Sequence, residues 1–180
     1  TWDDFWLNEG FTVYFEQRIM EAVYGRDISE MLASLSYRGL VNELSDLSPN
    51  DTHLRLHLKG RNPDDGMTAI PYDKGFLFLR MIEETVGRAP FDAFLSEYFT
   101  KHAFKVMDTD NFIEYVEGTL LTDEATRNAV NLTAWIDGAG LPDNCPKIQS
   151  DRIDNVDIAV SSWASGGMAT SDLLWNDWIY

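Results

Sequence analysis

The opening stretch of the chain sets the tightest limit on its fold. From Asp3 onward Phe5, Trp6, Val13, Tyr14, Ile19, Met20 and Val23 recur at three, four and seven, the spacing of a helix. These positions spread too widely for one stripe, so the helix must be covered on more than one side. Asp3 or Asp4 is placed to cap its start, and Gly25 to end it. Inside this apolar pattern stands Trp6-Leu7-Asn8-Glu9-Gly10. A glycine costs about 1 kcal/mol in a helix interior, and a buried carboxylate is expensive unless paired or bound to metal. Glu9, Thr12 and Glu16 fall near one face, which gives the helix one polar stripe. By pattern alone the stripe reads as solvated surface.

The remaining chain reads as further helices around one change of period. Ser29 with Glu30 opens a second helix through Met31, Leu32, Leu35, Leu40, Val41 and Leu44, ending before Pro49. Leu54, Leu56 and Leu58 then alternate with His53, Arg55, His57 and Lys59, the mark of a strand or extended segment with one face inward. A loop rich in Gly, Pro, Asn and Asp follows from Gly60 to Gly66. Pro71 sits at the entry of a third helix, where its missing N–H costs little, and that helix runs through Phe76, Leu79, Ile82 and Val86 to Gly87. Helices are expected over Phe91 to His102, Thr109 to Leu121 and Asp123 to Asp137. Gly138 to Pro146 looks like a domain edge. Lys147 to Tyr180 reads as an irregular connector, with a new helix starting near Ser171.

Composition excludes some partners. The 180 residues carry 14 Lys and Arg against 30 Asp and Glu, a formal net charge of -16. Such a surface repels phosphate backbones and anionic lipid, so no nucleic acid and no membrane partner is expected. No apolar run reaches the roughly 20 residues of a membrane helix. Cys145 is the single cysteine, which rules out an internal disulfide and agrees with a reducing, cytoplasmic location. Thr1 at the start and Trp175, Trp178 and Tyr180 at the end suggest a piece of a longer polypeptide.

Two segments carry a resemblance. Thr1 to Tyr14, centred on Trp6-Leu7-Asn8-Glu9-Gly10, is similar to the segment of the aminopeptidase N and leukotriene hydrolase family of gluzincin metallopeptidases that supplies the third zinc ligand. The family's zinc motif is H-E-x-x-H followed by a Glu inside W-L-N-E-G. Two His one turn apart bind the metal from one side, the Glu between them activates water, and the later carboxylate completes three protein ligands. Glu9 matches that carboxylate; counting back, the H-E-x-x-H would lie wholly upstream of Thr1. About sixty residues on, Ile70-Pro71-Tyr72-Asp73-Lys74-Gly75 is similar to the family's P-Y-x-K-G segment. The Tyr of that segment donates to the oxyanion of the tetrahedral intermediate, a role that suits a neutral phenol.

Weaker features agree. Asp64 stands in the loop before Tyr72, where the leukotriene hydrolase branch places an Asp lining the substrate pocket. Trp135-Ile136 with Gly140-Leu141-Pro142 resembles that branch's closing W-x-x-x-P-G-L-P, with Gly138 and Ala139 departing from it. The resemblance points to a bacterial, cold-active-aminopeptidase-like branch, and the strong acidity is compatible with a marine or cold-living source. His53 and His57 share a face on a strand but stand about 13 Å apart there, too far to share one zinc.

The resemblance implies a mainly α fold: the helical half of a thermolysin-like metallopeptidase catalytic domain with one short extended segment, plus a connector. Residues 1–142 would be the C-terminal part of the catalytic domain, and 143–180 the connector and start of a C-terminal helical domain. The implied function is zinc-dependent removal of N-terminal residues from peptides. Glu9 would hold one Zn2+, Tyr72 would be catalytic, Asp64 substrate-binding, and Thr12 and Glu16 supports of the metal ligand. The partners would be peptide substrates and the rest of the parent chain, without which these residues should be inactive. Two alternatives stay open: a bifunctional epoxide hydrolase and aminopeptidase, and a catalytically dead binding scaffold.

Overall fold

The computed structural model describes residues 1–173. It contains eight α-helices: α1 Trp6–Tyr24, α2 Arg26–Asp46, α3 Gly75–Val86, α4 Arg88–Lys101, α5 Thr109–Thr119, α6 Glu124–Val130, α7 Leu132–Ile136 and α8 Asp151–Ala164. The chain divides into two compact units, one of Thr1–Glu16 with Gly39–Pro146, the other of Gln17–Arg38 with the residues from Lys147 on. Among the described residues no helix is long and apolar enough to cross a membrane.

The first unit is organised around α3. Gly75, Phe76, Leu77, Phe78, Leu79 and Ile82 are all buried, so the helix is covered on nearly every side. Aromatic rings fill the space around it. Trp6 meets Phe78 and Phe112 edge-on at 5.5 and 5.3 Å between ring centroids, and Trp135 lies 5.7 Å from Phe78. Phe11 stacks on Tyr98 at 5.6 Å, the offset geometry that ring quadrupoles favour. Buried polar tips find partners: the Trp6 indole donates to Thr109 Oγ1, and the Tyr14 hydroxyl donates to Glu83. Glu83 is also held by Arg88 at 2.6 Å.

Several local expectations are corrected. Asp3 and Asp4 do not cap α1; they lie in a 3-10 turn, Trp2–Asp4, that precedes it. Asp3 instead accepts from the Leu58 amide, and Asp4 from the amide and hydroxyl of Thr109. Burial would raise the Asp4 carboxyl, but bonds from the Thr1 hydroxyl and from Thr109 outweigh it and lower it to about 2. The long helix expected over Asp123 to Asp137 is two short ones, broken where Asn131 turns left-handed at φ 54° and caps α7, a conformation Asn tolerates better than most residues.

The segment with alternating leucines is not a strand. Leu54, Leu56 and Leu58 are buried as the alternation requires, but their backbone joins no ladder among the described residues. Arg55 N–H donates to the Ile136 carbonyl and Leu56 N–H to the Asp3 carbonyl, so loops and helix ends satisfy it. The backbone bends near Leu54 and Arg55, which brings the His53 and His57 rings to 6.4 Å between centroids. The 13 Å separation expected of a flat strand does not hold.

In the second unit Ser29 sits inside α2, which already begins at Arg26, and its hydroxyl donates to the Gln17 carbonyl. The stretch after Lys147, expected to be irregular, contains α8, capped by the Ser150 hydroxyl and buried at no position. Near Ser171 there is a 3-10 turn, Thr170–Asp172. Most of the helix expected from Ser171 onward falls on 174–180, outside the described residues.

Candidate active site

Glu9 lies in the first turns of α1 and Tyr72 in a five-residue π-helical turn, Ile70–Lys74, that leads into α3. Such turns recur at functional sites because they re-aim side chains. Both residues are partly exposed. Two glycines bring them together. A Cβ built on Gly10 would stand 2.9 Å from the Gly75 Cα and 3.3 Å from the Pro71 carbonyl oxygen; one built on Gly75 would stand 2.8 Å from the Gly10 Cα. The backbones of α1 and the π-turn therefore touch directly, at a distance no side chain allows. The local cost of Gly10 in a helix is offset by this contact.

The proximity has an electrostatic signature. Burial pushes the Tyr72 phenol above its ordinary value, and the Glu9 carboxylate adds to the rise. Tyr72 thus stays protonated at neutral pH and keeps its O–H as a donor. The Phe5 ring meets Tyr72 edge-on at 5.9 Å and 87° and steadies it from the side. The arrangement offers one carboxylate oxygen ligand and one neutral donor at a partly open surface.

The other expected site residues are placed less centrally. The Thr12 hydroxyl bonds back to the Asn8 carbonyl of its own helix at 2.8 Å. Glu16 is exposed, and its charge acts on Asp73. Asp64 is exposed on the 3-10 turn Pro63–Gly66, where its amide donates to Asn62. The structure gives Asp64 no hydrogen bond with Glu9 or Tyr72. Burial pushes the His53 imidazole down, with help from the Lys74 and His57 charges. Among the described residues no three His, Cys, Asp or Glu side chains come together around a metal position.

Two residues beside Tyr72 were given no role by the sequence reading. Asp73 is pushed up to about 6 by burial and by the charges of Glu43 and Glu16. Lys74 is wholly buried. Both are chargeable residues next to Tyr72, and their burial follows from the π-turn rather than from any sequence signal.

Asp73 supports a prediction. A carboxyl whose folded value is raised binds its proton more tightly in the native state. Its contribution to stability is therefore best below about pH 4 and is lost as pH rises toward 6. The rise from 3.8 to about 6 sets a ceiling of about 3 kcal/mol, and solvent screening reduces this to about 1 kcal/mol. Asp73→Asn should raise stability at pH 8 by about 1 kcal/mol and by much less at pH 4.5. Denaturant titrations at the two pH values measure this; equal gains at both would remove the charge explanation.

Comparison with known proteins identifies the family. The family model described as the peptidase family M1 domain matches residues 1–133. The chain belongs to peptidase family M1. Leucine aminopeptidase 2 of Aspergillus terreus is 36% identical over 170 residues, covering 92% of this chain and 27% of that protein. The leukotriene A-4 hydrolase homolog of Botryotinia fuckeliana is 32% identical, with 92% and 26% covered. Yeast LTA4 hydrolase in complex with bestatin superposes with a TM-score of 0.85 at 31% identity, over 92% of this chain and 27% of that one. The M1 zinc metallopeptidase from Deinococcus radiodurans gives 0.62 at 26%, over 84% and 30%. This M1 chain thus spans about a quarter of the length of the curated relatives it matches. The described residues are mainly helical, with α1 and α3 meeting at Gly10 and Gly75.

Proposed function

We propose that this chain is part of a zinc-dependent aminopeptidase that removes N-terminal residues from peptides, with Glu9 as one metal ligand and Tyr72 as the oxyanion donor. The observation that carries the reading is the glycine-on-glycine contact that sets Glu9 beside Tyr72. The donor chemistry fits: a carboxylate oxygen is a competent zinc ligand, and Glu9 has no cation bonded to it within the described salt bridges. Glu9 is one donor, so the remaining ligands come from an H-E-x-x-H elsewhere in the polypeptide. When bound, zinc would polarise the scissile carbonyl and lower the pKa of a water ligand.

The chain's own share of the mechanism follows from its geometry. Glu9 stands in the first turns of α1, near enough for its charge to act on the Tyr72 phenol. Tyr72, kept neutral, donates its phenolic proton in a hydrogen bond to the carbonyl oxygen as negative charge grows there. Neither residue moves a proton through the other. The similarity to a leucine aminopeptidase and to a zinc metallopeptidase supports the peptide substrate class.

The test is metal content. In the full-length enzyme Glu9→Gln should lose zinc on dialysis, while the 180 residues alone should hold none in stoichiometric amount, since one carboxylate cannot retain the ion against water. Zinc analysis after dialysis decides. A Glu9→Gln enzyme that keeps one zinc per chain would remove Glu9 from the ligand set.

A further inference from the structure

Lys74 is one of the largest fully buried side chains in the molecule, at 0% exposure. A buried ammonium needs donors satisfied in full. Its Nζ donates to two backbone carbonyls, those of Thr52 and Gly138, each at 2.8 Å. Burial lowers its pKa to about 8, opposed by Cys145 and Asp137. The two loops that Lys74 reaches are also joined to each other. Thr52, itself buried, accepts from the Gly140 amide at 2.8 Å and donates to the Pro49 carbonyl at 2.7 Å.

The Gly138 end of this network is rigid. A Cβ there would fall 2.2 Å from the Ala134 carbonyl oxygen, so the chain leaves α7 in a path only glycine follows. Lys74 is the last residue of the π-turn that bears Tyr72, and Gly75, the next residue, is pressed against Gly10. The turn is therefore fixed at two adjacent points, by backbone contact toward α1 and by the lysine toward the loops at Thr52 and Gly138. An apolar side chain of similar length would fill the space but would release both carbonyls and the second anchor.

We infer that Lys74 is a positioning residue for Tyr72: by tying the π-turn to the Thr52 and Gly138 carbonyls it holds the Tyr72 phenol in register with Glu9. This deepens the proposed function and rests on Tyr72 being the oxyanion donor. A side chain that acts only through Tyr72 must lose its effect once the phenol is gone.

The test is a double-mutant cycle on the full-length enzyme, comparing Lys74→Met, Tyr72→Phe and the double variant for kcat, KM and zinc content. Lys74→Met should lower kcat about tenfold, with KM and zinc unchanged, and the double variant should match Tyr72→Phe alone. Full kcat in Lys74→Met overturns the inference, and so do losses that multiply in the double variant. Unchanged kcat in Tyr72→Phe instead overturns the functional reading itself. Should Lys74→Met fail to fold, Lys74→Gln, which keeps a donor on a side chain one atom shorter, is read for a smaller loss of kcat that vanishes in the Tyr72→Phe background; a loss that multiplies there overturns the inference.

Discussion

Tyr72→Phe in the full-length enzyme is expected to lower kcat by about 10²- to 10³-fold and to leave zinc content stoichiometric. The substitution removes one oxygen. The ring that remains keeps its edge contact with Phe5, and the π-turn keeps its anchors at Gly75 and Lys74. What is lost is a hydrogen bond that strengthens as charge develops on the substrate oxygen. Such a loss appears in kcat and kcat/KM together, with KM nearly unchanged. The phenol's raised pKa adds that ionisation of Tyr72 should not limit the wild-type rate below its ordinary value of 10.0. Steady-state kinetics with an aminoacyl amide, alongside metal analysis, checks this. Unchanged kcat would make Tyr72 a packing residue, and lost zinc would make it a support of the metal site.

How much of this could be read from the chain depended on the range of each interaction. The helices around α3 were legible because their apolar spacing reports burial on nearby turns. Glu9-Gly10 was legible as an anomaly, a carboxylate and a glycine inside an apolar helix. Its reason was not, because Gly75 lies far along the chain and the contact is backbone to backbone. Lys74 was hidden more completely. It stands in the P-Y-x-K-G match, but its role was not legible, because its partners are carbonyls 22 and 64 residues away that any residue type would supply. The break at Asn131 lacked a Gly or Pro to announce it. The α8 helix fully buries no residue and half-buries only a thin line at Ile153, Val156, Ala159 and Ser162, so its core-facing pattern was weak. The leucine alternation reported burial correctly and backbone pairing wrongly, since side-chain period says nothing of what satisfies the amides between.

The glycine contact makes the largest prediction for stability. Gly75→Ala places a methyl 2.8 Å from the Gly10 Cα. Neither neighbour has a side chain that can rotate away, so α1 and the π-turn must separate. Overpacking of this kind costs about 3 kcal/mol, or a fall in Tm of roughly 6 to 12 °C for a chain of this size. Gly10→Ala meets the same wall from the other side, at 2.9 Å from Gly75 Cα, and should cost a similar amount. The controls lie in the same molecule. Gly39 in α2 and Gly118 in α5 have nothing within 4 Å of an added Cβ, so Ala there should raise stability by about 0.5–1 kcal/mol through helix propensity alone. Thermal unfolding of the four variants separates the two effects, because a general intolerance of the chain to substitution would depress all of them. A Gly75→Ala protein melting with the wild type would mean the helices can part without cost. The Glu9–Tyr72 pairing would then need another cause. If instead Gly75→Ala melts early while Gly118→Ala melts late, the two motif glycines are explained by the approach of two backbones, and the spacing of Glu9 and the Tyr72 phenol is set by that approach.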